Sequence, residues 1–446
     1  MRITLVSTWK IVNAVGGAER VFCMLANAMA ERGHKVTGVC FDYEKGRPKF
    51  HLDERVSFVN AGEGQKPPLW LSKIAINIRS LSFSRARRRE KRLLLRERFI
   101  GKALVRAVVD SVPDVVVAFR AADAHVLLEW GKLDVPVVTM SHQSIGAFLP
   151  RYAPESVKRS VEASAAVQVL MPDFAQELEK SLPQARVVVI PNAVPQYADT
   201  ADRACHSVIN VAHIAYEKHQ DLLVEAFALI ADKYPDWNVK IFGGNDDQPR
   251  QIEALKKLIN RKGLKDRILL CGTTDEVSKE LKKASIFAFP SRQEGFGLAL
   301  AEAMSMGLPA VGCRNCPAVN KIIRNEKNGF LCEDTPDAFA GALSRLMDDE
   351  TLRCRLGDTA KEDMREYAAG NVWTQWEKLL HSVVKQKIQG KVSISIKGTI
   401  RIRTNENWHC LQSLWSVRWN GTVCVARNEG TSSVGAYSRH FYDDCR

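Results

Sequence analysis

Eleven short apolar runs, most of them rich in valine, recur along this chain with stretches of helical periodicity between them. That alternation restricts the fold more than any other feature. Strands that are apolar on both faces are buried on both, which demands a parallel sheet with helices covering each side. Six runs come first, at residues 3–7, 36–41, 115–119, 135–140, 166–170 and 187–190. Five follow, at 208–211, 239–242, 268–271, 286–289 and 310–313. A chain of 446 residues exceeds one ordinary core. Two doubly wound α/β domains of Rossmann-like type are therefore expected, divided near residues 195–206, where periodicity gives way to proline, alanine and mixed charge.

In a doubly wound sheet, ligands bind beyond the carboxyl ends of the strands, which directs attention to the loops there. Residues 289–306, FPSRQEGFGLALAEAMSM, read as strand, glycine loop and helix. Glu294 precedes Gly295, Phe296 and Gly297, and Glu302 lies eight residues after Glu294 on the helical run. Unpaired backbone N–H groups and the helix dipole make such a junction an anion site, and flanking carboxylates suit hydroxyl groups on the anion's carrier. The plainer reading of both acids is solvated surface charge. Gly16 and Gly17, after the first strand, allow close backbone approach to a phosphate, or simply make a tight turn. His142, in the loop after residues 135–140, and Lys218, beyond the strand opening the second domain, are further candidates; a structural histidine and a solvated lysine are the alternatives.

Taken in order, Gly16-Gly17-Ala18-Glu19-Arg20, the His142 loop, Ile190-Pro191-Asn192, Lys218 with Leu222-Leu223-Val224-Glu225-Ala226-Phe227, Phe242-Gly243-Gly244, and Glu294-Gly295-Phe296-Gly297 with Glu302 resemble the family 4 retaining glycosyltransferases of the GT-B fold. The likeness runs from residue 1 to about 385, and its most specific element is the pair of glutamates around Gly-Phe-Gly. It implies two Rossmann-like domains facing each other across a cleft. The acceptor-side domain would be 1–195, the linker 196–206, the nucleotide-sugar domain 207–370, and a helix at 371–387 would return toward the first domain, leaving 388–446 as a tail without assigned role. By resemblance, Glu294 holds the transferred sugar, Glu302 the ribose, and Lys218 with His213 the diphosphate. Gly16, Gly17, Gly272, Thr273, Gly295, Phe296, Gly297 and Leu298 complete the donor site, and His142 stands beside the reacting sugar. Glu294, His142 and Lys218 are the catalytic candidates. The donor is a nucleotide-diphosphate sugar, with UDP preferred, and the acceptor a lipid-linked saccharide; no other cofactor is implied. No Asp-x-Asp triplet occurs, which argues against a metal-bridged diphosphate, so metal-independent transfer is expected. The family's usual arginine is replaced by His213, five residues before Lys218. Histidine titrates near neutrality and arginine does not, so weaker donor binding is expected above about pH 7.

The formal charge of +13 is local. Eleven Lys or Arg lie between Arg79 and Arg106 against Glu90 and Glu97, and the segment after residue 388 carries a smaller excess. Within residues 69–108, Leu93, Ile100, Leu104 and Val108 share one helical face and Arg88, Lys91, Arg98, Lys102 and Arg106 the other, with Leu69, Trp70 and Leu71 upstream. Two readings stand: a solvated helix packed on the sheet, or docking on an anionic membrane surface, the latter preferred because such insertions serve membrane-borne acceptors in the family. A nucleic-acid-binding protein of another class would account for the charge but not for Glu294 and Glu302, and nucleic acid is not expected as a partner. A GT-B enzyme with a soluble acceptor, or a sugar-nucleotide epimerase, is the nearer alternative. Residues 1–7 run into Trp9, Lys10 and Asn13, too short and polar for a signal peptide, and no apolar run spans a membrane, so a cytoplasmic, peripheral location is expected. The 11 cysteines are scattered; Cys313 and Cys316 have no matching second pair, so no zinc site is expected. In the tail, the alternation over residues 391–403 predicts a hairpin about Lys397 and Gly398.

Overall fold

A computed structural model describes residues 1–65, 85–150, 153–244, 249–397 and four short strands between 401 and 427. The chain forms two units, Met1–Val384 and Lys385–Arg446. The first unit contains two parallel sheets. The strands of one are β1 (Arg2–Ser7), β2 (Lys35–Cys40), β3 (Ser57–Asn60), β4 (Val115–Ala118), β5 (Val137–Met140), β6 (Ala166–Val169) and β7 (Val187–Val189), in the order β3-β2-β1-β4-β5-β6-β7. The other is built from β8 (Ser207–Val211), β9 (Asn238–Phe242), β10 (Ile268–Gly272), β11 (Ile286–Phe289), β12 (Ala310–Cys313) and β13 (Gly329–Cys332), in the order β10-β9-β8-β11-β12-β13. Every position of β4, β5, β6, β11 and β12 is buried, as strands covered on both faces require.

Two edge strands, β3 and β13, fall outside the eleven apolar runs. The first, Ser-Phe-Val-Asn, alternates exposed and half-buried positions, so only one face is covered and no continuous apolar run marks it. The second begins at Gly329 and has only Phe330 and Leu331 as a large apolar pair. In each sheet the strand order reverses beside the first strand, between β1 and β4 and between β8 and β11. Those switch points open crevices at the carboxyl ends of the strands.

The helix Ala369–Lys397 extends ten residues beyond the expected boundary at 387. Its Val372, Trp373, Trp376, Leu380 and Val383 join Ile3, Leu5, Phe22 and Met29 in the core of the first sheet. Residues 391–397 continue this helix and do not form the arm of the expected hairpin. Extending an existing helix costs only tenths of a kcal/mol per β-branched residue, so a period of two in Val, Ile and Ser does not by itself stop it. In the second unit Arg401–Arg403 pairs antiparallel with Trp408–Cys410, and Leu414–Trp419 with Thr422–Arg427.

The basic segment forms the helix Arg85–Asp110. Ile100, Leu104 and Val108 pack against Val6, Val39, Val116 and Ala118, so this part of the apolar face is covered by the sheet. Lys102 and Arg106 are exposed. Leu69, Trp70 and Leu71, with the side chains of Arg88, Lys91, Leu93 and Arg98, lie outside the described residues. Glu97, one of the two acids in the segment, is buried: its carboxylate lies 2.8 Å from His125 Nδ1 and accepts from Trp130 Nε1 at 3.2 Å. No helix among the described residues is long and apolar enough to cross a membrane.

Candidate active site

The two switch points face each other, and the loops that leave them meet. Beyond β11 the chain turns through residues 290–297 into the helix Leu298–Ser305. Gly297 caps that helix at φ 85°, a left-handed conformation open to glycine at little cost. Gly295 is required for another reason. A Cβ there would lie 2.1 Å from the carbonyl oxygen of His142, so only a glycine lets the loop after β11 touch the loop after β5. A Cβ on Gly17 would stand 3.6 Å from Leu298 Cδ1, placing the glycine pair at the start of helix Gly17–Glu31 beside the start of helix Leu298–Ser305. Gln293 Nε2 donates to Ser144 Oγ at 2.7 Å and adds a further link between the two loops.

Lys218 ends the short 3-10 turn Tyr216–Lys218 that follows β8. Its ammonium donates to Glu294 Oε1 at 2.7 Å, with the Glu294 side chain 9% exposed and that of Lys218 21%. Lys218 thus stands on the same side of the cleft as Glu294 and in contact with it. Arg292 fixes the turn: its backbone N–H donates to Glu217 O at 2.8 Å, and its guanidinium lies 2.5 Å from His219 Nε2 and 4.5 Å from the Tyr216 ring. Glu302 is held from across the cleft. On the helix Leu298–Ser305 it is almost fully buried and meets Arg20 of the first domain at 2.5 Å. Burial raises the pKa of Glu302 and the Arg20 charge opposes that rise. Nearby, burial foremost and the Glu302 charge next push the Tyr197 hydroxyl up to about 12.

His142 stacks on Phe119 with ring centroids 4.9 Å apart, and its Nε2 is buried without a hydrogen-bond partner. Burial, with the neighbouring Arg120 charge adding to it, lowers its pKa to about 3, so the ring is neutral. His213 spans the cleft: Nε2 lies 3.0 Å from Val15 O and Nδ1 3.2 Å from Gly244 O. Both neighbours are acceptors, so the imidazolium donates to both and a neutral imidazole to one only. Gly272 (φ 69°) and Thr273 lie exposed at the end of β10, with Thr273 Cγ2 beside Gly244. Phe296 is buried and meets Tyr367 edge-on at 5.3 Å.

The structure therefore gathers Glu294 with Lys218, Gly295 with His142, Gly17 with Leu298, and His213 with the backbone beside Gly16. Glu302 is joined to a residue without an assigned role in the sequence, Arg20; its one signal is a lone cation in the first turn after the Gly-Gly loop. Arg292 and Tyr197 likewise carry no marking. Chemically, the cleft offers a cation, a buried carboxylate on each side of a helix N-terminus, and a neutral imidazole with an unused nitrogen. Such a set has the chemistry to bind a diphosphate and the hydroxyls of its carrier.

Two facing Rossmann-like domains with a cleft between them make up the GT-B fold. Residues 15–196 match the family Glycosyltransferase Family 4, and residues 206–363 match Glycosyl transferases group 1. The chain belongs to family 4 of the GT-B glycosyltransferases. It is 28% identical over 407 residues to an exopolysaccharide phosphotransferase of Streptomyces coelicolor, covering 87% of this chain but only 41% of that protein. An uncharacterized glycosyltransferase of Haemophilus influenzae is 24% identical, with 83% of this chain and 97% of that protein covered. Over 90 residues, 20% of this chain and 23% of the other, identity reaches 41% with a UDP-Gal:α-D-GlcNAc-diphosphoundecaprenol α-1,3-galactosyltransferase of Escherichia coli. Among solved structures, sucrose-phosphate synthase of Thermosynechococcus elongatus superposes with a TM-score of 0.71 at 17% identity, over 86% of this chain and 99% of that one.

Proposed function

We propose that this glycosyltransferase moves a sugar from a UDP-sugar to a lipid-linked saccharide, with retention at the anomeric carbon and without a metal ion, during cell-surface polysaccharide synthesis. The observation that carries the proposal is the Lys218–Glu294 pair at the switch point of the second sheet, beside the amides of Gly295, Phe296, Gly297 and Leu298. When the donor binds, its diphosphate takes over Lys218 and these amides, and its sugar hydroxyls take over Glu294. Departure of the nucleotide leaves charge on the diphosphate, and fixed positive groups there stabilise the transition state more than the ground state. Glu302 receives the ribose hydroxyls, and Arg20, in contact with it, orients its carboxyl group. His142, neutral and with a free ring nitrogen, meets a hydroxyl of the transferred sugar. His213, Gly16, Gly17, Gly272 and Thr273 line the remaining edge of the donor site.

The E. coli relative names both a UDP-sugar and a diphospholipid acceptor, and that supports the choice of donor and acceptor. On this reading the protein works at the cytoplasmic face of the membrane, held by the basic face of helix Arg85–Asp110. A soluble acceptor is the second reading, favoured by the burial of Ile100, Leu104 and Val108, which leaves those side chains unavailable to lipid. Hydrolysis and transfer measured across UDP-glucose, UDP-galactose, their N-acetyl forms and GDP-mannose, with a lipid-diphosphate sugar and a free sugar as acceptors, test both. Turnover of GDP-mannose alone would overturn the donor assignment, and transfer to the free sugar alone the acceptor assignment.

A further inference from the structure

Away from the cleft, three potential metal ligands converge where the last helix of the first unit meets the first domain. His34 stands directly before β2, and Glu377 and His381 follow one another at i, i+4 on one face of helix Ala369–Lys397. One ligand atom from each lies within 4.8 Å of the other two. His34 Nε2 is 2.9 Å from Glu377 Oε1, and the rings of His34 and His381 meet edge-on at 5.8 Å. We propose that His34 Nε2, Glu377 Oε1 and a ring nitrogen of His381 form a binding site for a first-row divalent transition-metal ion such as Zn²⁺, which fastens the helix to the first domain.

Two imidazoles and one carboxylate are borderline ligands of the kind these ions prefer, and water completes a four-coordinate site. Ligand atoms around a tetrahedral ion at Zn–N and Zn–O distances stand about 3.3 Å apart, so small side-chain rotations close the present cluster. The proton that now bridges His34 and Glu377 is displaced by the ion. Glu377 shows its two oxygens to different partners, Oε1 to His34 and Oε2 to Arg32 Nε at 3.6 Å, so the metal takes Oε1 and leaves the Arg32 contact intact. The three side chains range from half-buried to exposed, so the ion has a path in. The cluster shares no residue with the cleft, and its role is to hold the helix in place.

Isothermal titration of the full chain with ZnCl₂, together with thermal melts, tests the site. The wild type is expected to take up one equivalent that both His381→Ala and Glu377→Gln lose or bind at least about tenfold more weakly, and Zn²⁺ is expected to raise the melting temperature of the wild type only. Chelation should lower that temperature while leaving donor hydrolysis unchanged. Absence of uptake by the folded wild type would overturn the assignment. Equal affinity and stoichiometry in both variants would do the same by locating the ion elsewhere.

Discussion

Arg20 and Glu302 show how much of the site depends on single charges. Glu302 is buried, so loss of its partner strands a carboxylate; Arg20→Leu is expected to destabilise the chain by about 3 kcal/mol, and Glu302→Gln in that background to recover most of it. Urea unfolding of the four-member cycle reads this, and additive losses would show that the two do not act as a pair. Glu294→Ala should lower transfer by at least about a hundredfold with the melting temperature little changed; retained transfer would remove Glu294 from the catalytic set. His142 gives a pH signature. Its folded pKa, lowered to about 3 from 6.5, lies below the unfolded value, so the unfolded chain binds more protons between those limits. Stability therefore rises with pH across that window and is lost on acidification, by at most about 1.4 kcal/mol per pH unit. His142→Asn should flatten that slope, and an unchanged slope would assign the acid sensitivity to other groups. The presence of Glu294, Lys218 and His142 was legible because each occupies a loop at the end of an apolar strand. Arg20 was not, since the acid it serves lies 282 residues away along the chain.

At the scale of elements, the helix Arg85–Asp110 separates two jobs. Its inner face is committed to the sheet through Ile100, Leu104 and Val108, and it is further held by the buried Glu97–His125 pair, to which the exposed Trp130 donates its indole N–H. Glu97→Ala leaves the buried His125 imidazole without a partner and is expected to cost about 1–3 kcal/mol, measured by chemical denaturation. The exposed Lys102 and Arg106 belong to the other job. Lys102→Glu with Arg106→Glu should weaken sedimentation with anionic liposomes at low salt and leave stability unchanged; undiminished binding would remove this face from membrane contact. Helical periodicity told which residues share a face, but not whether lipid or the protein covers it. The continuation of the helix Ala369–Lys397 through residues 391–397 is a second case, where alternation resembling a strand yields to the helix already in progress.

Across the whole molecule, the elements around the two sheets share one apolar cluster, and several of the loop contacts between them depend on backbone approach. Gly295→Ala would drive a methyl group into the His142 carbonyl, so it should open the cleft, reduce donor affinity and cost about 1–3 kcal/mol of stability. A unchanged affinity for UDP would show that this approach is not needed for binding. His213 adds a cross-cleft link, with Nε2 3.0 Å from Val15 O and Nδ1 3.2 Å from Gly244 O.

The order of apolar runs was enough to determine two parallel α/β sheets and to single out the loops at the carboxyl ends of their strands, because burial on both faces leaves few alternatives. Short edge strands escaped, since a strand covered on one face needs no continuous apolar run. Only the tertiary structure decided which loops touch: that Lys218 pairs with Glu294, that Arg20 reaches Glu302, and that the inner face of the basic helix is already covered. These are contacts between residues far apart in sequence, set by the distance between two sheets, and local residue patterns do not encode that distance.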